Sequence, residues 1–484
     1  MSTQAVSGVA ATPGRGWALA LTAIVGAEFM LQLDGTIVNV ALPSLQSDLG
    51  LPVTAASWVP NGFLLAFGGL LLLAGRLGDV LGHRRVFLGG IALVVVASLI
   101  AGLAPNLELL LLGRVLQGAG AALAGPTGLA LIPLISPSDR LQRSFGLYST
   151  VTGLGASAGM VLGGVLTWAG DWRWSLLVNV PVGLLIIAVA VRALGLTDAP
   201  DAPGATGATA GRRPLGLASS LLVSAAILAA VYGLVNAAED GWGDPVTLIA
   251  LAAAVVLAAA LAVVDGRAAD PLLPGEIFAE RSRAGAALNL LLLASVLTGF
   301  LIYLVQYLQA VLDLDALGSG LAILPFGLAL LVSTQLLTRF VSGVDLKVRA
   351  VAGLVPVLAG VLWLTRLDGG SGYASGVLGP LVLMGLGVGI AIIPLNMIIL
   401  TTVPARYAGV TAGVLQTALT IGGSLGLAVL LLPFTSGTGD PAETTSAVFT
   451  WSSGIIAATI VIGLLFWFGP GARRAEPRPE PQEQ

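Results

Sequence analysis

The chain has 484 residues, of which 56% are hydrophobic and 10% are charged, and its mean hydropathy is +0.96. Soluble proteins carry about 25% charged residues, so this composition excludes a soluble protein and predicts a polytopic membrane protein. The net charge of −3 argues against nucleic acid as a partner, and the absence of cysteine excludes disulfides and thiolate chemistry. With one histidine, His83, the sequence predicts no catalytic triad or metal centre, so we expect neither enzyme activity nor a cofactor.

Fourteen apolar stretches are long enough to cross a bilayer, because a helix needs about 20 residues to span about 30 Å of hydrocarbon. The first is too long for a signal-peptide core and has no small-residue cleavage site, so we expect it to be retained as a helix. The predicted spans are residues 17–42, 54–75, 86–104, 107–134, 145–168, 173–194, 214–236, 245–264, 284–310, 318–341, 347–366, 376–400, 408–433 and 445–468.

Positive charges alternate between the two sides of these spans. The side that holds the N-terminus collects nineteen Lys and Arg residues, and the other side holds only Arg173 and Arg366. Because Lys and Arg accumulate in cytoplasmic loops, we expect an even number of helices with both termini in the cytoplasm. The excess of Arg over Lys hints at a bacterial source, so the predicted location is the bacterial cytoplasmic (inner) membrane.

Two polar segments lie outside the apolar spans, one between the sixth and seventh spans and one after the last. Residues 197–213 are rich in Pro, Gly, Ala and Thr, which predicts a flexible linker, and the Pro- and charge-rich end of the chain predicts disorder. The predicted organisation is a cytoplasmic tail at 1–16, an N-terminal six-helix bundle at 17–195, a cytoplasmic linker at 196–213, two extra transmembrane helices with the following loop at 214–283, a C-terminal six-helix bundle at 284–469 and a disordered tail at 470–484.

An internal repeat relates the two predicted bundles. A displacement of 263 residues places Gly90 on Gly353, and a further shift of four places Gly120 on Gly387. We therefore expect an all-α membrane fold with two pseudo-symmetric six-helix bundles and two intercalated helices. Duplicated six-helix halves are typical of transporters, which bind their substrate between the halves near the middle of the membrane.

Three ionisable side chains lie inside the predicted spans: Glu28, Asp34 and Arg114. A charge at the bilayer centre costs about 2.5–3.5 kcal/mol, so each needs a partner, water or a proton. A carboxyl held out of water can gain and lose a proton in the physiological range, so we expect proton coupling at Asp34 first and at Glu28 second. Either carboxylate could instead form a salt bridge with Arg114. Six residues turn a helix by about 120°, so the two carboxylates need not face the same cavity.

Several motifs carry a more specific resemblance. The run from Leu33 to Pro43 resembles the first-helix motif of the fourteen-helix drug:proton antiporter branch of the major facilitator superfamily. The loop from Gly75 to Arg85 is similar to the superfamily's motif A, and the run from Arg114 to Ala122 is similar to motif B. The segments Trp172 to Pro181 and Gln306 to Gln309 also resemble this branch. The resemblance covers most of the chain and is stronger in the first half.

The resemblance implies a conformational latch in the motif A loop. The matching residues are Gly75, Asp79, Gly82, Arg84 and Arg85. The glycines permit tight turns and close approach, and the aspartate can pair with cytoplasmic arginines or lie at a helix N-terminus. A loop that only sets topology would explain the arginines but not the glycines and the aspartate. The resemblance also links Arg114 to proton transfer.

The fifth predicted span carries glycines at Gly155, Gly159 and Gly163, with Gly164 next to the last. Such a face allows close helix packing, and it fits both simple packing and a gating role. The family's motif C usually has a proline after the first glycine of this region, whereas Met160 stands here. Without this proline the helix lacks a kink point, which weakens the prediction of antiport but not the prediction of transport.

Uncharged polar residues inside the spans are candidates for the substrate cavity. They could also serve only as interhelical contacts, worth about 0.6 kcal/mol each. The candidates are Gln32, Asn39, Asn61, Gln117, Asn289, Tyr303, Gln306, Gln335, Asn396 and Gln416. His83 is expected to be an exposed loop residue.

The sequence therefore predicts a proton-coupled secondary active exporter that works by alternating access. The expected substrates are small hydrophobic or amphipathic compounds such as drugs, and by analogy with the family the protein is expected to be monomeric. Export of lipids or endogenous metabolites on the same fold stays open, as does a non-transporting scaffold or sensor. The chain has no phosphate-binding Gly-Lys-Ser/Thr motif, which argues against ATP as the driving force.

Overall fold

The computed structural model describes residues 14–51, 53–56, 58–194, 217–268, 271–273, 275, 280–314, 316–337, 343–401, 403, 407–435 and 441–469. All regular secondary structure in these ranges is helical. The predicted linker at 196–213, the tail at 470–484 and most of the tail at 1–16 lie outside the described residues.

The first half of the chain begins with eight helices. They are α1 (Gly14–Leu49), α2 (Val53–Ala56), α3 (Trp58–Leu81), α4 (His83–Gly102), α5 (Leu107–Ile135), α6 (Leu141–Ala169), α7 (Trp172–Leu177) and α8 (Asn179–Ala193). Two further helices follow the linker, α9 (Leu217–Glu239) and α10 (Pro245–Asp265). The second half contains α11 (Arg281–Ala310), α12 (Ala316–Val332), α13 (Leu346–Leu364), α14 (Leu378–Thr401), α15 (Ala408–Thr435) and α16 (Pro441–Phe468). A π-helical turn at Ser333–Leu337 extends α12, and another at Tyr373–Val377 precedes α14.

Local sequence explains where several helices begin. Asn106 caps α5 by accepting a hydrogen bond from the Leu109 amide at 3.0 Å. Asp244 caps α10 in the same way, and Pro245 occupies the first turn, where its missing N–H costs nothing. Gly82 separates α3 from α4 with a φ of 94°, a backbone conformation that other residues adopt only with strain.

Thirteen helices within the described residues are long and apolar enough to cross a membrane. The predicted fifth span corresponds to α6, which is not among the thirteen, so the count of fourteen and the side of the termini stay predictions. Two predicted spans differ in detail from the structure. The sixth span is interrupted at Val178, which separates the short helix α7, capped at its N-terminus by Asp171, from α8. The first span continues as helix to Leu49, beyond its apolar part.

The two halves pack their helices in equivalent ways. In the first half, Gly90 of α4 faces Gly120 of α5, where an added Cβ would lie 2.8 Å from the Gly90 carbonyl oxygen. In the second half, Gly353 of α13 faces Gly387 of α14, where the corresponding distance is 2.5 Å. The sequence repeat places Gly90 on Gly353 and Gly120 on Gly387, so the contact in one half recurs at the repeat-related positions of the other.

Two seams join the halves. At one seam α3 and α5 contact α15, and at the other α6 contacts α12 and α14. Helix α9 packs against both α3 and α15, and therefore covers the first seam from outside. The α9–α10 connection is fixed to the second half, because the Trp242 indole donates a hydrogen bond to the Ala428 carbonyl of α15 at 3.2 Å. Helix α10 is the most exposed of the thirteen membrane-spanning candidates in the described residues, because only 11% of its apolar core stretch is buried.

Candidate proton-coupling and substrate site

Helix α1 places Asp34 inside the first half, where it forms an ion pair with Arg114 of α5. The distance from Asp34 Oδ2 to Arg114 Nη1 is 2.8 Å, and each side chain is 1% exposed. Asp34 Oδ1 accepts hydrogen bonds from Asn179 Nδ2 of α8 at 2.5 Å and from Gln117 Nε2 at 3.3 Å. The structure thus gives Asp34, rather than Glu28, the salt bridge that the sequence allowed for either carboxylate.

Arg114 is held from several directions. Its Nη1 also donates to Gln117 Oε1 at 2.9 Å, its Nε donates to the Val59 carbonyl at 3.2 Å, and its guanidinium lies 4.5 Å above the Phe63 ring centroid. Gln117 in turn donates to Ser98 Oγ of α4 at 2.7 Å. This cluster ties together α1, α3, α4, α5 and α8 around one neutralised ion pair, and it lies within the first half rather than at a seam.

Glu28 lies in a different environment, almost two turns earlier on α1. Its Oε1 accepts hydrogen bonds from Gln32 Nε2 at 2.8 Å and Thr152 Oγ1 at 3.1 Å, and its Oε2 accepts one from the Tyr148 hydroxyl at 2.7 Å. The residue is 3% exposed. Within the part of the chain that the structure describes, no Lys, Arg or His lies within ion-pair distance of its carboxylate. Neutral donors alone therefore hold this carboxylate.

The residues next to Glu28 on α6 reach across to the second half. Gln416 Nε2 of α15 donates to the Tyr148 hydroxyl at 3.2 Å. Asn396 Nδ2 of α14 donates to Ser149 Oγ at 3.4 Å, and the hydroxyls of Thr150 and Thr334 are 2.5 Å apart. We call these six residues the polar seam: Tyr148, Ser149, Thr150, Thr334, Asn396 and Gln416. Their uncharged polar groups lie between the halves, where alternating access requires contacts to break and re-form.

Four predicted cavity residues lie in or beside the polar seam. Asn396 and Gln416 belong to it, and Gln32 hydrogen-bonds Glu28. Gln335 lies close to α6, since its Nε2 would be 3.7 Å from a Cβ on Gly146.

The other predicted cavity residues lie elsewhere or outside the described side chains. Gln117 is in the Asp34 cluster, and Asn289 is buried inside the second half, where it donates to the Gly285 carbonyl at 2.8 Å. Tyr303 packs in a cluster with Leu430 and Val448. Gln306 is exposed, Asn61 lines a small cavity between α3 and α9, and the side chain of Asn39 is outside the described part.

Sequence reasoning missed several groups that complete these clusters. They are Ser98, Tyr148, Ser149, Thr150, Thr152, Asn179 and Thr334. A signal was present for α6, because Tyr148-Ser149-Thr150 followed by Thr152 is an unusual run of hydroxyl groups in an apolar span. Hydroxyls in apolar helices often bond only to their own backbone, so the run alone did not distinguish a seam from ordinary packing.

The motif A loop joins the halves at one end of α3. The Asp79 carboxylate accepts hydrogen bonds from the backbone amides of Gly409 at 2.8 Å and Val410 at 2.9 Å, at the N-terminus of α15. A carboxylate is stabilised there by the free amides and the helix dipole. The backbones of Gly75 and Gly409 touch, so that a Cβ on either glycine would collide with the other's carbonyl oxygen.

The remaining latch candidates differ in their contacts. Gly82 supplies the positive φ between α3 and α4. Arg85 is exposed, and Arg84 is half-buried with no hydrogen-bond partner at its Nε. The prediction that His83 is exposed is wrong: the residue is 4% exposed, and its Nε2 lies 3.5 Å from Asp79 Oδ1. The turn at Gly82 starts α4 at His83 and folds its ring back against α3.

The glycine face of α6 packs against α1. Added Cβ atoms on Gly159 and Gly163 would lie 2.8 Å from the Leu33 carbonyl oxygen and 2.7 Å from the Ile37 carbonyl oxygen. Gly155 meets the Cβ of Gln32 in the same way, at 2.8 Å. In this conformation the face brings two helices of one half together and so sets the distance between Glu28 and its α6 donors. Gly164 is half-buried, and the side chain of Met160 is outside the described part.

A polytopic helical protein with two equivalent halves, a polar seam between them and the motif A loop joining them at one end is a membrane transporter of the duplicated-bundle class. A model of the Major Facilitator Superfamily matches residues 24–427, and the chain belongs to this superfamily.

Similarity to individual proteins extends over most of the chain. This chain is 39% identical over 423 residues to the puromycin resistance protein pur8 of Streptomyces alboniger, and the match covers 86% of this chain and 81% of that protein. It is 35% identical over 463 residues to the cephamycin export protein CmcT of Amycolatopsis lactamdurans, covering 95% and 93%. The crystal structure of the human organic anion transporter MFSD10 matches with a TM-score of 0.62 over 92% of this chain and 99% of that chain, at 16% identity, which supports the fold alone.

Proposed function

We propose that this chain is a proton-coupled exporter of small hydrophobic or amphipathic compounds, antibiotics among them, in the bacterial cytoplasmic membrane. The observation that carries the proposal is the similarity, over 86% and 95% of this chain, to proteins named for puromycin resistance and cephamycin export. The chemistry around the polar seam agrees with it, because apolar helices with a few amides, hydroxyls and one carboxylate suit amphipathic molecules. Function as a monomer is part of the proposal.

The surroundings of the two α1 carboxylates support different roles for them. Protonation of Asp34 would leave the buried charge of Arg114 without its counterion, which carries a large penalty. Protonation of Glu28 breaks no ion pair, and Glu28 lies beside the polar seam. Sequence reasoning placed Asp34 first as the proton site, and the geometry favours the reverse order. We assign proton exchange to Glu28, with the Asp34–Arg114 pair organising the first half around it.

The latch supplies the conformational part of the proposal. Asp79 holds the N-terminus of α15 and closes the halves at the end that the loop charges predict to be cytoplasmic. For export, this end must open to admit substrate and close again before release on the other side. Since Met160 replaces the usual proline of motif C, the antiport direction needs its own test with gradients of defined sign.

Export from cells tests this function. A bacterial host that lacks its major efflux pumps would express wild type, Glu28→Gln and Asp34→Asn at matched membrane levels. Ile249→Ala, which changes an exposed side chain on α10, is the control. We expect wild type and the control to export members of a panel of amphipathic dyes and antibiotics, and an uncoupler to abolish that export.

We expect Glu28→Gln to lose export and Asp34→Asn to be strongly impaired. If both variants export like wild type, proton coupling through α1 is contradicted. If wild type exports no member of the panel, drug export itself is contradicted, and lipids become the next substrates to test.

A further inference from the structure

Tyr148 is the one side chain in the described structure that bonds both the Glu28 carboxylate and the opposite half. We propose that Tyr148 is a positioning residue through which the ionisation of Glu28 controls the contact between α6 and α15. The inference rests on the proposed proton coupling and identifies the residue that transmits it to the helices.

The direction of the hydrogen bonds follows from the number of available hydrogens. A phenol has one hydrogen, and an ionised carboxylate can only accept. Tyr148 therefore donates to Glu28 Oε2 at 2.7 Å, and its oxygen is left to accept from Gln416 Nε2 at 3.2 Å. The chain of donors runs from α15 through α6 to α1, and each donor is oriented by the negative charge at its end.

Protonation of Glu28 changes this series of hydrogen bonds, whichever carboxylate oxygen receives the proton. If the proton is on Oε2, the carboxyl donates to Tyr148, and the phenol hydrogen must turn to Gln416, whose NH₂ group has to rotate away so that its Oε1 can accept; the present contact is lost. If the proton is on Oε1, Tyr148 donates to a neutral carbonyl oxygen. Charge-assisted hydrogen bonds are about twice as strong as neutral ones, so in both cases the link between the halves weakens.

The rest of the polar seam does not depend on Glu28. The Ser149–Asn396 and Thr150–Thr334 contacts join α6 to α14 and to the π-helical turn after α12, without touching the carboxylate. The uncharged Gln32 faces Glu28 from α1 itself, and Thr152 and Tyr148 face it from α6. From α15 the uncharged Gln416 approaches through Tyr148, and the nearest other carboxylate on α1, Asp34, is paired with Arg114. Ionised Glu28 therefore favours closed halves, and protonated Glu28 favours their separation.

Cross-linking across the seam tests the inference without knowledge of the substrate. The chain has no native cysteine, so Ser149→Cys with Asn396→Cys reports the distance from α6 to α14, which belongs to the same half as α15 and moves away with it when the halves separate. The rate of cross-linking by a short thiol-reactive reagent would be measured in membranes from pH 5 to pH 8, and corrected for the reagent's own pH dependence with a free-thiol standard.

In this background we expect cross-linking to slow about fivefold as Glu28 becomes protonated, because the link between the halves weakens by about the net strength of one neutral hydrogen bond. Tyr148→Phe removes the hydroxyl and keeps the ring, so we expect a flat pH profile. Glu28→Gln should be equally flat. The matched control is Thr150→Val, which loses another seam hydrogen bond and should keep the pH response.

The outcomes separate this inference from the proposed function. A wild-type pH response in Tyr148→Phe, with a flat profile in Glu28→Gln, overturns the role of Tyr148 and leaves Glu28 as the proton site. A wild-type response in Glu28→Gln overturns the proton assignment itself. If Tyr148→Phe does not reach the membrane, Gln416→Leu removes the hydrogen bond to Tyr148 from the other half. This variant must also flatten the pH profile of cross-linking.

Discussion

Asp34 and Glu28 show how the same chemical group, a carboxylate, acquires two environments on one helix. Six positions along α1 turn one carboxylate towards α5 and α8 and the other towards α6. The first meets a guanidinium, and the second meets only hydroxyl and amide donors. A balanced pair is costly to break and therefore suits a fixed framework, whereas a carboxylate without a counterion is free to exchange its proton.

The Asp34–Arg114 pair makes a prediction about stability. Arg114→Met leaves the buried Asp34 carboxylate without its cation, which costs about 3–5 kcal/mol in comparable buried pairs. Asp34→Asn combined with Arg114→Met removes both charges and should unfold at a higher temperature than Arg114→Met alone. Thermal unfolding in detergent, read as a double-mutant cycle, measures this, and strictly additive effects would contradict a tight ion pair.

At the scale of elements, glycine contacts decide which helices can approach each other. Gly75 of α3 and Gly409 of α15 allow backbone contact next to Asp79, and the glycine face of α6 allows the same against α1. The first contact joins the two halves and opens in the proposed transport cycle, and the second lies within one half.

Gly75→Ala should therefore open the latch. The added methyl group collides with the Gly409 carbonyl oxygen, while Gly89→Ala on α4 meets nothing within 4 Å and serves as the control. Thr411→Cys places a thiol on α15 at a position that is 0% exposed in the closed form. We expect Gly75→Ala to speed labelling of this thiol by a membrane-impermeant reagent added from the cytoplasmic side about fivefold or more, given a steric cost of about 1–3 kcal/mol in the closed form. Unchanged labelling would show that this contact does not close the cytoplasmic end.

The extra helices make a second prediction at this scale. A Cβ on Gly69 of α3 would lie 3.5 Å from the Leu228 Cβ of α9, within the usual range of about 3.5–4.5 Å for a disulfide. Gly69→Cys with Leu228→Cys should therefore form a disulfide under mild oxidation. Gly69→Cys with Ile249→Cys, an exposed position on α10, should not. Equal cross-linking of both pairs would contradict the packing of α9 over the α3–α15 seam.

At the scale of the whole molecule, the sequence predicts the helical architecture well, but it predicts poorly which side chains contact each other. Hydropathy locates the helices because only apolar segments of this length are stable in a bilayer, and the glycine repeat anticipates which helices touch. Glu28, Asp34 and Arg114 stand out because charges in a membrane are rare. Which of them pair depends on helix rotation and packing, which periodicity does not determine.

The polar seam and the burial of His83 illustrate the same limit. Tyr148 and Gln416 are 268 positions apart, and nothing local relates a phenol on α6 to an amide on α15. His83 follows a glycine in a basic loop, which is typical of exposed residues, and only the fold of that turn brings it against Asp79. Contacts between the halves arise when the two bundles dock, so they are the least visible features of either half alone.

These contacts lead to one account of the molecule. In the proposed transport cycle the motif A loop closes one end, the polar seam closes the middle, and Glu28 connects the seam to protons. The account requires that substrate and proton move in opposite directions and that Glu28 be needed for both movements.

The most direct test is proton movement in inverted membrane vesicles that hold an acidic interior, reported by a fluorescent amine. Adding an exported compound should make the wild type release protons from the interior, and Glu28→Gln should show no such substrate-dependent release at equal protein levels. Substrate-dependent release by Glu28→Gln equal to that of the wild type, or none by a wild type that still accumulates the compound, would contradict a proton-coupled exporter built around Glu28.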